Sequence, residues 1–118
     1  QELILADNSE KLYEKVISKS KNWKNNERIM YVVGAKNTQE IAKIRSLVPD
    51  SYLLIPGVGA QGGNLKEICN YGLDKNFKII VNSSRSIIYA SSDDDFASMA
   101  RNEAKKIQCE MEIYIDKL

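Results

Sequence analysis

The chain has 118 residues, 43% of them apolar, a formal net charge of +1, two cysteines and no histidine. That length suits one modest domain, and the charge balance argues against a nucleic-acid partner, which calls for a marked basic excess. No apolar run nears the ~20 residues of a membrane span, and without histidine there is no Ser-His or Cys-His nucleophile and little prospect of a zinc site.

The N-terminus "QELILADN" lacks the basic flank and long apolar core of a signal peptide. It also lacks an initiator Met, so the chain is expected to be a piece of a longer one. Cys69 and Cys109 lie far apart, each in a helical pattern. They read as reduced, partly buried thiols of a cytoplasmic protein.

From residue 9 to residue 23, apolar residues at Leu12, Tyr13, Val16, Ile17 and Trp23 predict a helix capped by Asn8 or Ser9. "KNWKNNER" is a polar connection. "IMYVVGA", residues 29–35, is too short for a helix and does not alternate, which predicts a strand buried on both faces. Asn37 and Glu40 have capping-box spacing, and Ile41, Ile44, Leu47 and Val48 form the stripe of a helix that Pro49 stops. "SYLLIP" is a second strand. It runs into "GVGAQGG", four glycines in seven residues. Asn64 and Glu67 repeat the capping-box spacing, Leu65, Ile68 and Cys69 face inward, and Gly72 reads as a left-handed helix stop. "FKIIVN" is the third strand, followed by "SSRSIIYASS". A long amphipathic helix then starts at Ser92 and Asp95, with Phe96, Met99, Ala100, Ala104, Ile107 and Met111 as its buried stripe.

The order is α-β-α-β-α-β-α, which predicts an α/β fold with a parallel sheet and right-handed crossovers. Ligands of such sheets sit beyond the carboxyl ends of the strands, where "GVGAQGG" and "SSRS" both fall. Glycines let backbone amides approach a ligand, the next helix points its free amides the same way, and Arg85 adds a planar cationic fork. With the Gln61 amide these make a phosphate site shared by two loops. The competing reading is a long turn beside a solvated arginine. Gly57, Gly59 and Gly62 match a dinucleotide spacing, but Asn82 stands where an acidic ribose partner is needed.

"IPGVGAQGG" and "VNSSRSIIYAS", preceded by "YVVGAKNTQEIAKIRSLVPDS", closely resemble the C-terminal part of the orotidine 5′-phosphate decarboxylase family, in its longer bacterial branch. The resemblance covers nearly the whole chain. It implies a (β/α)₈ TIM barrel, of which residues 1–118 would supply strands six to eight and flanking helices, three parallel strands with four or five helices. It implies substrate phosphate binding by Gln61, Arg85 and Ser84, with Gly57, Gly59, Gly62 and Gly63 shaping the loop. Pro56, Val58 and Lys36 would border the pyrimidine, although Lys36 stands where the family has a hydroxyl residue. The implied reaction turns orotidine 5′-phosphate into uridine 5′-phosphate and carbon dioxide, with no metal or cofactor. The family's D-x-K-x-x-D array does not occur here, so no catalytic residue is expected in this chain. Asp74 and Lys75 read as an exposed polar turn at the opposite end of the strands. A full barrel needs about 250 residues. Two other readings remain open: a stand-alone, non-catalytic module that binds a phosphorylated ligand, and a structural remnant that binds nothing. Strand edges left bare by a partial barrel predict a homodimer or other self-association.

Overall fold

The computed structural model describes residues 10–36, 38–59 and 63–118. Among these residues five α-helices and three strands follow in the order α1 (Leu12–Ser20), β1 (Tyr31–Val32), α2 (Thr38–Leu47), β2 (Leu53–Pro56), α3 (Leu65–Gly72), β3 (Ile79–Asn82), α4 (Arg85–Ile88) and α5 (Phe96–Ile115). All strands are parallel and lie in sequence order, β1-β2-β3. β2 is therefore central, and β1 and β3 are edges.

The starting points of the helices follow local chemistry. The capping candidates Asn8, Ser9 and Asn37 lie outside the described residues. α1 begins after Lys11, whose backbone N–H donates to the Glu14 carboxylate at 3.2 Å. That reach back from the third helical position satisfies a donor the helix cannot. Trp23 falls beyond the end of α1 and is more than half exposed. At α3 the Asn64 side chain accepts from the Glu67 N–H at 3.4 Å, as its spacing predicts.

The core lies between the sheet and its helices. Ile41, Leu53, Ile55 and Ile68 are fully buried there, joined by Ile44, Val48, Leu65, Cys69 and Ile79. Burial raises the Cys69 thiol to about 11, with Glu110 adding to the shift, whereas Cys109 is exposed. Only one of the two cysteines is thus the buried thiol expected.

Three further expectations are corrected. The strands are covered on one face only. Val32, Leu54 and Ile80 sit side by side across the sheet, and Val32 is 70% exposed. The continuous apolar run predicts burial on both faces, but Ile80 is also exposed and only Leu54, between the two, is half-buried. Gly72 is not a left-handed stop. It lies inside α3, and the residue that closes the helix, Leu73, has φ −68°. Its lack of a side chain serves packing instead, because a Cβ there would lie 3.3 Å from Ile41 and 3.4 Å from Ile79. Finally, no residue of α5 is fully buried. Phe96 and Ala104 are exposed, Met99 and Ala100 are half-buried, and Ile107 and Met111 only flank the core with Tyr114. α5 packs chiefly on α3 and α4, too narrow a support for so long a stripe. Asp95 does precede its first turn, but its side chain caps nothing; it accepts from the Ser91 hydroxyl.

Candidate functional site

The carboxyl ends of all three strands converge. β1 runs on through Val33, bonded to Leu54 O at 2.9 Å, into buried Ala35 and exposed Lys36. β2 ends at Pro56, opposite Asn82 of β3. Two consecutive loops, after β2 and after β3, make up the candidate site.

The β2 loop folds back on itself. Gly59 N–H donates to Gly63 O at 3.1 Å, and Gly63 N–H donates to Gly57 O at 3.3 Å. Gly57 and Gly59 hold φ of 89° and 75°, a region in which a Cβ is strained. Gly63 is required for a different reason. A Cβ there would fall 2.6 Å from the Ala35 Cβ and 2.9 Å from Gly57 O. The loop is thus pressed directly onto the end of β1. Val58 is buried and belongs to the core, and Pro56 is half-buried. Gln61 and Gly62 lie outside the described residues.

The β3 loop is fixed against the first. Gly57 N–H donates to Asn82 O at 3.2 Å. The buried Ser83 hydroxyl donates to Val58 O at 3.1 Å and lies 2.6 Å from the Ser86 hydroxyl. Asn82 Nδ2 donates to Ser84 Oγ at 3.2 Å. Ser84 immediately precedes α4, and Arg85 opens it. Arg85 is exposed and makes no side-chain hydrogen bond or ion pair with another described residue. An uncommitted guanidinium therefore stands beside the first turn of a helix and next to a glycine loop with two left-handed residues. Such an arrangement suits a small oxyanion. The carboxyl end holds Pro56, Gly57, Val58, Gly59, Gly63, Ser84, Arg85 and Lys36 together. Asp74 lies at the other end, in the turn before β3.

Sequence reasoning missed two groups. Ser83 and Ser86 join the loops, whereas the sequence reading of "SSRS" gives a role to Ser84 and Arg85 only. Arg45 was missed entirely. It donates to Gly72 O, Val48 O, Pro49 O, Ser51 O and Lys78 O at 2.7 to 3.3 Å. A charge standing four residues after Ile41 and three before Val48, hence on the apolar stripe, was the clue.

No family model matches the chain. Curated relatives do. The chain is 53% identical over 112 residues to the orotidine 5′-phosphate decarboxylase of Flavobacterium johnsoniae, covering 95% of this chain and 41% of that protein. It is 49% identical over 114 residues to the enzyme of the same name from Christiangramia forsetii, covering 97% of this chain and 42% of that protein. Among solved structures, Leishmania donovani UMP synthase superposes with a TM-score of 0.72 at 30% identity, over 92% of this chain and 24% of that one. Leishmania donovani OMP decarboxylase gives 0.70 at 27%, over 92% and 41%. The chain spans about two-fifths of the length of these curated relatives. Its three parallel strands and five α-helices, among the described residues, are a partial α/β fold that superposes on part of each of these structures.

Proposed function

We propose that the chain, residues 1–118, is the C-terminal part of an orotidine 5′-phosphate decarboxylase, with β1, β2 and β3 as barrel strands six, seven and eight. In this reading it supplies the grip on the substrate phosphate. The observation that carries it is the pairing of a glycine loop with an Arg85 that has no side-chain partner among the described residues, on adjacent strand ends joined through Ser83 and Val58. The loops after strands seven and eight are a recurrent phosphate site of such barrels.

Arg85 and the Ser84 and Arg85 backbone amides would hold the phosphate, with Gln61 as a neutral donor and Gly57, Gly59, Gly62 and Gly63 shaping the cradle. Pro56, Val58 and Lys36 would border the pyrimidine, Lys36 through its backbone. Loss of carbon dioxide from the pyrimidine leaves a carbanion that a proton donor must quench. That donor belongs to the D-x-K-x-x-D array, which this chain does not contain. The chain's part is remote binding, which accelerates distant chemistry by orienting the reacting centre. The complete enzyme is read as cytoplasmic, and among the described residues no helix is long and apolar enough to cross a membrane.

Titration of the chain with inorganic phosphate tests the reading. Amide shifts are expected at Gly57, Gly59, Gly63, Ser84 and Arg85, and Arg85→Ala should abolish them. No shifts at these positions would refute it. Orotidine 5′-phosphate should not turn over; decarboxylation that survives purification and vanishes in Arg85→Ala would refute the absence of catalytic residues. In the complete enzyme Arg85→Ala should lower kcat/KM more than Gln61→Ala, because a charged donor contributes about 1.5–3 kcal/mol against about 1 for a neutral one.

A second reading, a stand-alone non-catalytic module, is favoured by a core that reaches full burial at Ile41, Leu53, Ile55 and Ile68 without further strands. Oligomeric state separates the two. The partial-barrel reading expects a homodimer or larger species at micromolar concentration, built on the bare edges of β1 and β3 and the open Val32–Leu54–Ile80 row. A sharp monomer with cooperative unfolding would favour the module.

A further inference from the structure

We infer that Ser83 is a positioning residue that locks the glycine loop to the turn carrying Arg85, and so sets the spacing of the two loops around an anion. The second half of that inference rests on the phosphate reading; the lock itself does not.

Hydroxyl chemistry fixes the direction of the lock. A serine hydroxyl has one hydrogen to donate, and a carbonyl oxygen can only accept. Ser83 Oγ lies 3.1 Å from Val58 O, so its hydrogen is committed to that carbonyl. The Ser86 hydroxyl, 2.6 Å from Ser83 Oγ, must then be the donor of that pair. The result is a one-way chain from Ser86 through Ser83 to Val58. It starts on the first turn of α4 and ends on the glycine loop. Ser84 and Arg85 lie between the two serines, so the Arg85 backbone is held from both sides. Among the described residues, the two loops are also linked by the Gly57 N–H to Asn82 O bond at 3.2 Å.

Burial makes Ser83 hard to replace. Ser83 is 9% exposed and Val58 5%, so water has little access to take over the bond. Asn82, by contrast, is exposed, and its bond to Ser84 Oγ competes with solvent. Ser83 is thus the strongest candidate for holding the loops in register. An ordinary packed serine, by comparison, would leave the glycine loop indifferent to its removal.

Amide hydrogen exchange on the chain, with phosphate titration alongside, tests this. The reporters are the Gly59 and Gly63 N–H groups, whose bonds close the loop, and the Ile68 N–H, bonded to Asn64 O within α3, as the control. Ser83→Ala should speed exchange at Gly59 and Gly63 about tenfold and weaken inorganic phosphate binding about tenfold, the cost of a buried carbonyl losing its donor. Ile68 should not change, and Ser83→Thr, which keeps the hydroxyl, should restore the loop. Ser86→Ala removes only the outer donor and should give about a twofold rise. If Ser83→Ala does not fold, Ser86→Ala decides alone. Unchanged exchange at both glycines overturns the lock. Faster exchange with unchanged phosphate affinity overturns the positioning role. Faster exchange in a chain whose wild type shows no phosphate-induced shifts keeps the lock and removes the phosphate reading.

Discussion

At the amino end of the sheet Arg45 directs its guanidinium at five backbone carbonyls, drawn from the ends of α2 and α3 and the starts of β2 and β3. At the carboxyl end Arg85 stands exposed, without a side-chain partner among the described residues. The two ends handle the same residue type oppositely. Below the sheet an arginine is consumed in holding loops together, and its burial lowers its pKa despite Asp74 and Asp50 nearby. Above the sheet the loops are held by hydroxyls and glycine backbone, which leaves the arginine available for a ligand. TIM barrels in general place stability at one end of their strands and ligand loops at the other.

Substitution of the two arginines is the strongest way to break the comparison. Arg45→Ala should destabilise the chain by about 3 kcal/mol, because several half-buried carbonyls lose a charged donor at once. Arg45→Lys should recover only part of that, since an ammonium cannot reproduce the planar fork. Arg85→Ala should stay within about 0.5 kcal/mol of wild type. Urea unfolding reads all three, and equal losses at the two positions would erase the distinction.

Gly63→Ala tests whether the receptive end is itself tightly built. With the Ala35 Cβ at 2.6 Å and Gly57 O at 2.9 Å, the new methyl must displace backbone. The expected cost is about 2 kcal/mol, in the range of overpacking, with altered Gly57 and Gly59 amide shifts. A neutral result would mean that the loop moves freely off β1.

Acid unfolding probes the structural end with less force. Burial works against the Asp74 carboxylate, but the Lys78 and Asn76 N–H groups and the Arg45 guanidinium outweigh it and hold its pKa below the ordinary 3.8. A depressed carboxylate contributes stability above its unfolded pKa, and that contribution is lost as pH falls through the folded value. Glu14, bound by Lys43 and by the Lys11 N–H, is held below 4.5 in the same way. Urea midpoints should therefore be level above about pH 5 and fall below about pH 4. Asp74→Asn should make the low-pH part of that fall shallower. An unchanged slope in Asp74→Asn would remove Asp74 from the structural set.

Gly72→Ala should do least. The new Cβ would meet Ile41 at 3.3 Å and Ile79 at 3.4 Å. The helix preference for alanine, about 1 kcal/mol, offsets that crowding. A net change under about 1 kcal/mol is expected, and a larger loss would show that the core beneath α3 cannot give.

Much of this architecture was legible in the residues. Pro49 and Pro56 bracket β2, the β-branched runs mark the strands, and the crossover rule fixes their direction. The loop pair was legible because both segments follow apolar runs. What escaped detection depended on tertiary partners. Arg45 looks like any helix-surface charge until the ends of three other elements are brought beneath it. Gly72 has the chain position of a helix stop, and only its contact with Ile41 and Ile79 shows a packing role. The α5 stripe is real as a pattern, but a pattern specifies a face and not what covers it. Val32 makes the same point for a strand. Gln61 and Gly62 lie outside the described residues, so the roles proposed for them rest on the sequence.

The order β1-β2-β3 also bears on how the chain assembles. Each new strand joins the edge formed by the strand synthesised just before it, and no connection has to pass over an earlier one. Construction can therefore keep pace with synthesis, one strand and helix at a time, with β2 waiting on β1 and β3 waiting on β2. A halt after any unit leaves a shorter sheet with a fresh edge, not a tangle. The glycine loop is the exception to this step-by-step growth. Its contact with Ala35 reaches back one unit, and its bonds to the Asn82 carbonyl and from the Ser83 hydroxyl reach forward one. The loop can take its final shape only when the third strand and the turn after it arrive, so it sets later than the strand that leads into it.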